Sequence, residues 1–172
     1  MIRTMDSTNA VSDLERSFLA LHDREAGTIL RYLRAAVGEA ADPEDLAAET
    51  FARAWRSWSR FQDRDGESAR NWLVKIARNL AVDSHRQRAR RPQAMLSDSL
   101  ESADPFGSSL DRIQLMRAIH GLALKDRNAV ALRAAGLPFA AVGAVLGISE
   151  PAAKMAADDC SRDAPVVVPE AS

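Results

Sequence analysis

Seven basic side chains are concentrated in one short stretch of this chain, between Arg70 and Arg91, where Asp83 is the single acidic residue. The whole protein is nearly neutral, with a formal net charge of −1. A local surplus of positive charge on an amphipathic helical pattern is typical of surfaces that hold the phosphates of nucleic acids. The stretch therefore predicts contact with DNA. The alternative is that the arginines merely solvate a helix end and complement its dipole.

An acidic cluster precedes the basic stretch. Asp42 can cap a helix that carries Pro43 in its first turn. The apolar residues then recur at helical spacing and define a face, Leu46, Phe51, Ala54, Trp55 and Trp58. Asp45, Glu49 and Arg53 are left on a stripe that faces solvent. This stripe predicts a docking surface for a protein partner, although such residues taken alone more often form a solvated face.

The elements that must position these clusters are helices. A first amphipathic helix is predicted from Leu14 to Val37, ending near Gly38. The helix that Asp42 caps is the second, and a third begins at Ser68. The segment from Phe61 to Glu67 interrupts the helical period and predicts a loop. The third helix is predicted to turn an apolar face inward, Trp72, Leu73, Ile76, Leu80 and Ala81. Three such helices can pack as a small bundle.

A change in composition separates the second half of the chain. Residues 93–109 are rich in serine, aspartate, proline and glycine, which predicts a flexible linker. Helical periodicity resumes at Leu110, and residues 164–172 read as a tail. Within the second half, Gly147 and Ser149 stand where a helix-turn-helix needs a turn and the next helix cap. The fold class predicted is all-α, with two small helical domains at residues 12–92 and 110–163 joined by the linker.

The motifs of the first half resemble those of a known family. The sequence from Asp42 to Trp55, the pair Arg60 and Phe61, and the segment from Asn71 to Asp83 resemble conserved region two of the extracytoplasmic-function sigma factors of bacteria. The resemblance covers about half of the chain, from near Phe18 to Pro92. It implies a three- to four-helix bundle that joins the RNA polymerase core and melts promoter DNA at the minus-ten element.

Site residues follow from the resemblance, position by position. Contact with the polymerase core is implied for the acidic helix, through Asp42, Glu44, Asp45, Glu49 and Arg53. Contact with minus-ten DNA is implied for the loop and the basic helix, through Phe61, Arg64, Trp72, Lys75, Arg78, Asn79, Arg86, Arg88 and Arg90. For Trp72, packing in the core and stacking on a separated base are equal alternatives.

The second half resembles region four of the same family, which reads the minus-thirty-five element. Contact with that element is implied for Ser149, Ala152, Lys154 and Met155. The sequence departs from the family where basic residues are usual, because Ala156 and Asp159 stand there, and Asp158 adds a second negative charge. Carboxylates facing phosphates would repel them. Direct minus-thirty-five binding is therefore expected to be weak, with promoter choice resting on the first domain and an activator assisting.

Other classes of protein fit less well. The single cysteine, Cys160, excludes an intrachain disulfide. None of the three histidines lies three residues after a glutamate, and no phosphate-binding loop or nucleophile elbow occurs, so no enzyme, cofactor or metal site is predicted. No stretch has the length and apolarity of a membrane span. The chain is expected to be cytoplasmic.

These observations predict a sigma factor that binds the RNA polymerase core and directs initiation at a subset of promoters. Its expected partners are the core enzyme, promoter DNA, and an anti-sigma factor or an activator. Two alternatives belong to other classes. One is a polymerase-binding regulatory protein that has lost minus-thirty-five recognition, and the other is a helix-turn-helix regulator that acts without polymerase.

Overall fold

The computed structural model describes residues 4–38, 41–61, 68–90 and 117–163, with side chains between Asp13 and Asp158. Six helices follow one another in these ranges: α1 Thr4–Val37, α2 Pro43–Trp58, α3 Ala69–Arg90, α4 Leu124–Ala134, α5 Phe139–Leu146 and α6 Glu150–Asp163. A short helical segment, 117–121, precedes α4. The described ranges contain no strand, and the all-α fold class is confirmed. Arg64, the predicted linker, the tail and the Cys160 side chain lie outside the described residues.

The first helix is longer than its apolar pattern predicts. It begins at Thr4 and ends at Val37, next to Gly38, whose φ of 54° is a left-handed conformation that favours glycine. Its inward face supplies much of the core through Leu21, Ile29 and Leu33, all nearly inaccessible to solvent. The predicted end of the helix is therefore confirmed. Its start lies eight residues before the predicted beginning of the first domain, at residue 12.

The second helix starts as the sequence predicts. Asp42 has extended backbone geometry, and its side chain accepts hydrogen bonds from the backbone N–H groups of Glu44, at 2.8 Å, and Asp45, at 3.2 Å. These bonds satisfy two donors that the first turn of a helix leaves without partners. Pro43 occupies the first helical position, where the missing N–H costs nothing.

The third helix packs against both earlier helices and completes a three-helix bundle. The backbone N–H of Asn71 donates to the Ser68 hydroxyl, 3.2 Å away, so Ser68 caps the helix one position before its start. The inward face includes the predicted Leu73, Leu80 and Ala81. Val74 and Ala77 are buried as well, which widens the apolar face of this helix beyond the predicted stripe.

In the second half, α5 and α6 form a helix-turn-helix. The axes of the two helices differ by 101° across a short break. Gly147 takes the left-handed conformation at the end of α5, and the Ser149 hydroxyl accepts from the backbone N–H of Ala152 at 3.3 Å. A Cβ at Gly143 would lie 2.7 Å from the backbone oxygen of Ile148, so only glycine lets the turn approach the helix this closely. The predicted turn and cap are confirmed.

The buried side chains of the two halves form one continuous cluster. Helix α1 packs against α4, and α3 packs against α5. Asn128 of α4 is buried against Tyr32 of α1. The predicted linker between the halves lies outside the described residues, so the division into domains at residues 92 and 110 stays a prediction.

No single helix of the described residues is both long and apolar enough to span a membrane. Within the same described residues, α5 joined to the first part of α6 passes that test, as a pair bent by 101°.

Candidate nucleic-acid and protein interfaces

The carboxylates of α2 differ in how far they are engaged within the molecule. Hydrogen bonds from the Asp45 backbone N–H and then from Glu44 lower the pKa of Asp42, which acts as the helix cap. Glu44 accepts from Arg34 of α1, with Nη2 2.6 Å from Oε1. The side chain of Asp45 is exposed and forms no ion pair with the residues that the structure describes. Asp45 is therefore the carboxylate best placed to meet a partner.

Glu49 and Arg53 form an ion pair one helical turn apart, with Arg53 Nε 2.6 Å from Glu49 Oε1. Arg56 approaches the same oxygen at 3.4 Å. The hydrogen bond from Arg53 is the main cause that lowers the pKa of Glu49. Because both groups remain at the surface, the pair contributes little stability, and a partner could separate it at small cost.

Three aromatic rings, from the end of α2, the residues after it and the start of α3, pack together. Phe61 lies parallel to Trp58, with ring centroids 5.4 Å apart and an interplanar angle of 7°, and 4.5 Å from Trp72. The Trp58 Nε1 donates to the Ser17 hydroxyl at 3.1 Å. Phe61, predicted to contact DNA, thus stacks on Trp58. Trp72, also predicted to contact DNA, packs at an angle against both rings. For Trp72 the arrangement favours packing over base stacking, because neighbouring rings already cover it.

Trp55 differs from the prediction that it belongs to the inward face of α2. Its side chain is 38% exposed, and its ring lies 5.1 Å from that of Phe18. Leu19, next to Phe18 on α1, is 60% exposed. Trp55 thus lies at the edge of the apolar face, in contact with Phe18 of α1 and partly exposed to solvent.

The basic residues of α3 divide into two faces. Lys75, Asn79, Arg86 and Arg90 are spaced four, seven and four residues apart, which places them along one stripe of the helix. Asn79, Arg86 and Arg90 are exposed. We call these four residues the basic stripe. It could follow a nucleic-acid backbone while Asn79 offers an amide that can pair with a base edge.

Arg78 and Arg88, predicted for the same DNA surface, lie away from that stripe. Arg78 is half-buried, its Nε has no hydrogen-bond partner among the described residues, and its charge acts on Tyr32 of α1. Arg88 is exposed and lines a cavity beside α4. The predicted DNA-contacting set is therefore not one surface. Lys75, Asn79, Arg86 and Arg90 belong together, and Arg78 lies near the buried Tyr32 of α1.

A buried carboxylate that the sequence does not reveal anchors the start of α3. Glu25 of α1 is 1% exposed and accepts from Arg70 Nε at 2.8 Å and from Arg24 Nε at 2.9 Å. Arg70, counted with the basic surface from its position in the sequence, thus neutralises an internal charge. One feature of the sequence indicates this role, because Glu25 lies on the apolar face of α1, four residues after Leu21.

Helix α6 presents a small surface with little charge. Lys154 and Met155 are exposed, the latter by 66%, whereas Ala152 is half-buried. Ala156 is half-buried and packs against the core, so the expectation that a residue at 156 would face a DNA groove does not fit this helix. Asp158 is exposed, and the side chain of Asp159 lies outside the described residues.

Comparison with known proteins identifies the family of the chain. The family model of sigma-70 region 2 matches residues 21–91. The chain is 34% identical over 148 residues to the sigma factor BldN of Streptomyces coelicolor, covering 80% of this chain and 55% of BldN. It is 32% identical over 138 residues to SigL of Mycobacterium tuberculosis, covering 76% of this chain and 77% of SigL. Both relatives are described as extracytoplasmic-function RNA polymerase sigma factors.

A solved structure shares the fold. The sigma factor RpoE of Bartonella quintana, solved with the anti-sigma factor NepR, superposes with a TM-score of 0.68 at 22% identity. The match covers 87% of this chain and 92% of RpoE. The relatedness to SigL over most of its length, together with the region-2 match on α1, α2 and α3, shows that the chain belongs to the extracytoplasmic-function family of RNA polymerase sigma factors.

Proposed function

We propose that this protein is a sigma subunit, which binds the RNA polymerase core through α2 and directs promoter-specific initiation through α3. The observation that carries the proposal is the arrangement of those two packed helices. One exposes the Asp45 carboxylate, and the other exposes the amide and basic side chains of Asn79, Arg86 and Arg90. A protein that must hold polymerase and DNA at once needs two such surfaces on a rigid support.

Docking on polymerase rests chiefly on Asp45. Asp42 and Glu44 are engaged in a helix cap and in an ion pair with Arg34, so they hold α2 in place. Glu49 and Arg53 satisfy each other until a partner replaces one of them. Trp55, exposed further along the same helix, would add an apolar contact of the kind that anchors interfaces.

Promoter contact rests on the basic stripe of α3. Lys75, Arg86 and Arg90 would neutralise backbone phosphates, which gives affinity without sequence information. Asn79 would supply selectivity, because an amide can form two hydrogen bonds to an adenine edge. Melting of the minus-ten element would then be assisted by capture of a separated base near Phe61.

The second half would contribute little direct minus-thirty-five binding. Lys154 is the single cation among the described side chains of α6, and Glu150 and Asp158 on the same helix are exposed acids. Promoter choice would therefore rest on α3, with help from an activator. The competing function is that of a polymerase-binding regulator without promoter recognition. A third function is that of a helix-turn-helix repressor. Helix α6 carries too little positive charge for that role.

Regulation by an anti-sigma factor is part of the proposal. RpoE, which shares the fold over most of its length, was solved with such a partner. We place the protein in the cytoplasm, where polymerase and promoter DNA are found. The inference from fold to partner is one of analogy, and the direct test is co-purification of this chain with proteins from its own cell.

Run-off transcription with purified core polymerase separates the three functions. A sigma factor gives promoter-dependent transcripts of defined length when it is added to core enzyme. A regulator that has lost promoter recognition binds core, as measured by competition with another sigma factor, and yields no transcript. A repressor binds duplex DNA without core. Selection of bound genomic fragments by the reconstituted holoenzyme would then identify the promoters.

A further inference from the structure

A cavity of about 380 Å³ opens where α3, the segment 117–121 and α4 meet beside the end of α1. Among the described residues, its ionisable lining is entirely basic: His85, Arg88, Arg117, His120 and Arg127. Its volume falls within the range of pockets that bind small molecules. The cavity lies apart from the basic stripe, since His85 and Arg88 occupy a different face of α3 from Arg86 and Arg90.

Two donors meet at the wall of this cavity. His85 Nε2 lies 2.9 Å from the backbone oxygen of Ala36, and because a carbonyl oxygen can only accept, this nitrogen carries the hydrogen. Arg127 Nη1 lies 3.4 Å from the same nitrogen. A guanidinium also only donates, so this approach is not a hydrogen bond. The two groups are therefore held close together without an acceptor between them.

A further donor at the same place has no acceptor. Arg127 Nε is buried and has no hydrogen-bond partner among the described residues. Burial and then the charge of Arg127 lower the pKa of His120, and burial also lowers that of Arg127. Arg127 is nonetheless fixed in place, because its Nη2 donates to the backbone oxygens of His120 and Leu122. Buried donors without acceptors destabilise a fold unless a ligand supplies the acceptors.

We propose that this cavity binds a small, free polyphosphate anion, such as inorganic pyrophosphate or the phosphate chain of a nucleotide. Guanidinium groups match phosphate oxygens in geometry and charge, and three of them line the cavity. The phosphates would accept from Arg127 on one side and from Arg117 and Arg88 on the other. A bound anion would join α3 of the first half to α4 of the second half.

Isothermal titration calorimetry of the full-length chain with pyrophosphate tests the proposal. We expect saturable binding with a stoichiometry of one, at near-physiological ionic strength and with sulfate as the competing anion. Arg117→Gln and Arg88→Gln each remove one cation from an exposed part of the lining and should weaken binding about tenfold, the usual worth of one charge-assisted hydrogen bond. Lys125→Gln, an exposed charge on α4 outside the lining, should change the affinity less than twofold.

Three results would overturn the proposal. The first is the absence of saturable pyrophosphate binding to a chain whose circular dichroism shows that it is folded. The second is an equal loss of affinity in Lys125→Gln and Arg117→Gln, which would indicate general attraction of anions. The third is that an equimolar DNA duplex displaces pyrophosphate and that Arg117→Gln weakens the binding of this duplex tenfold. The cavity would then belong to the nucleic-acid surface.

Discussion

The Tyr32 hydroxyl of α1 donates to Asn128 Oδ1 of α4 over 2.5 Å, and both side chains are almost completely buried. The Asn128 Nδ2 in turn donates to the backbone oxygen of Leu124 at 2.6 Å. This polar connection between the two halves lies inside the buried core. It thus fixes which residues of α1 and α4 face each other.

Replacing Tyr32 by phenylalanine should lower the free energy of unfolding by about 1–3 kcal/mol, because it leaves the Asn128 oxygen buried without a donor. Urea denaturation measures this loss. In a double-mutant cycle with Asn128→Ala, the combined loss should be smaller than the sum of the two single losses. Additive losses would show that the hydrogen bond does not couple the helices.

Tyr32 also predicts a dependence of stability on alkaline pH. Burial raises the pKa of this phenol far above its usual value, against the smaller opposing effect of Arg78. Stability should therefore be retained below about pH 10, where tyrosine in the unfolded chain stays protonated, and lost as the pH rises above it. Since Tyr32 is the only tyrosine, tyrosinate absorbance reports it directly. In Tyr32→Phe the alkaline loss should be shallower, and an unchanged alkaline loss would contradict this assignment.

Arg70 and Glu25 predict a charge-dependent effect on stability. Arg70→Ala removes one of two partners of a buried carboxylate and should destabilise the protein by about 1–3 kcal/mol. Combining Arg70→Ala with Glu25→Gln should restore part of that loss, because the buried group is then neutral. Thermal denaturation followed by circular dichroism provides the measurement. Arg56→Ala, an exposed arginine of α2, serves as the control and should cost much less.

Charge reversal on α2 tests the docking surface. Asp45→Lys should weaken core polymerase binding by a few kcal/mol, because like charges at an interface are costly. Glu49→Lys should weaken it less, since Glu49 already has intramolecular partners. Competition for core polymerase measures both, with Asp23→Lys on α1 as the control. Equal affinity of Asp45→Lys and the unmodified protein would remove Asp45 from the docking surface.

The basic stripe predicts a change in salt dependence. Replacing both Arg86 and Arg90 by alanine should reduce the slope of log affinity against log salt by about two for promoter DNA bound by the holoenzyme. Asn79→Ala should leave that slope unchanged and reduce permanganate reactivity at the minus-ten element. A double mutant with the original slope would show that these arginines do not contact phosphates.

Much of the fold and part of the site follow from the sequence. The cap at Asp42, the end of α1 at Gly38 and the turn at Gly147 are local, and the residues concerned determine them whatever packs around them. The role of Arg70 depends instead on Glu25, 45 residues earlier, and the exposure of Trp55 depends on how far α1 covers α2. The cavity forms between α3, the segment 117–121 and α4, which are distant from one another in the sequence. Such relationships depend on packing between distant segments, which helical periodicity does not encode.

The continuous core has a consequence for binding thermodynamics. Separating the two halves would expose the apolar surface where α1 packs against α4 to water and break the Tyr32–Asn128 bond. A partner that binds only the separated halves must supply the free energy of their separation. Its measured affinity is therefore reduced in proportion to the small fraction of molecules in which the halves are apart. Substitutions that loosen this contact would therefore strengthen the binding of such a partner without touching it. A ligand that joins the halves would have the opposite effect.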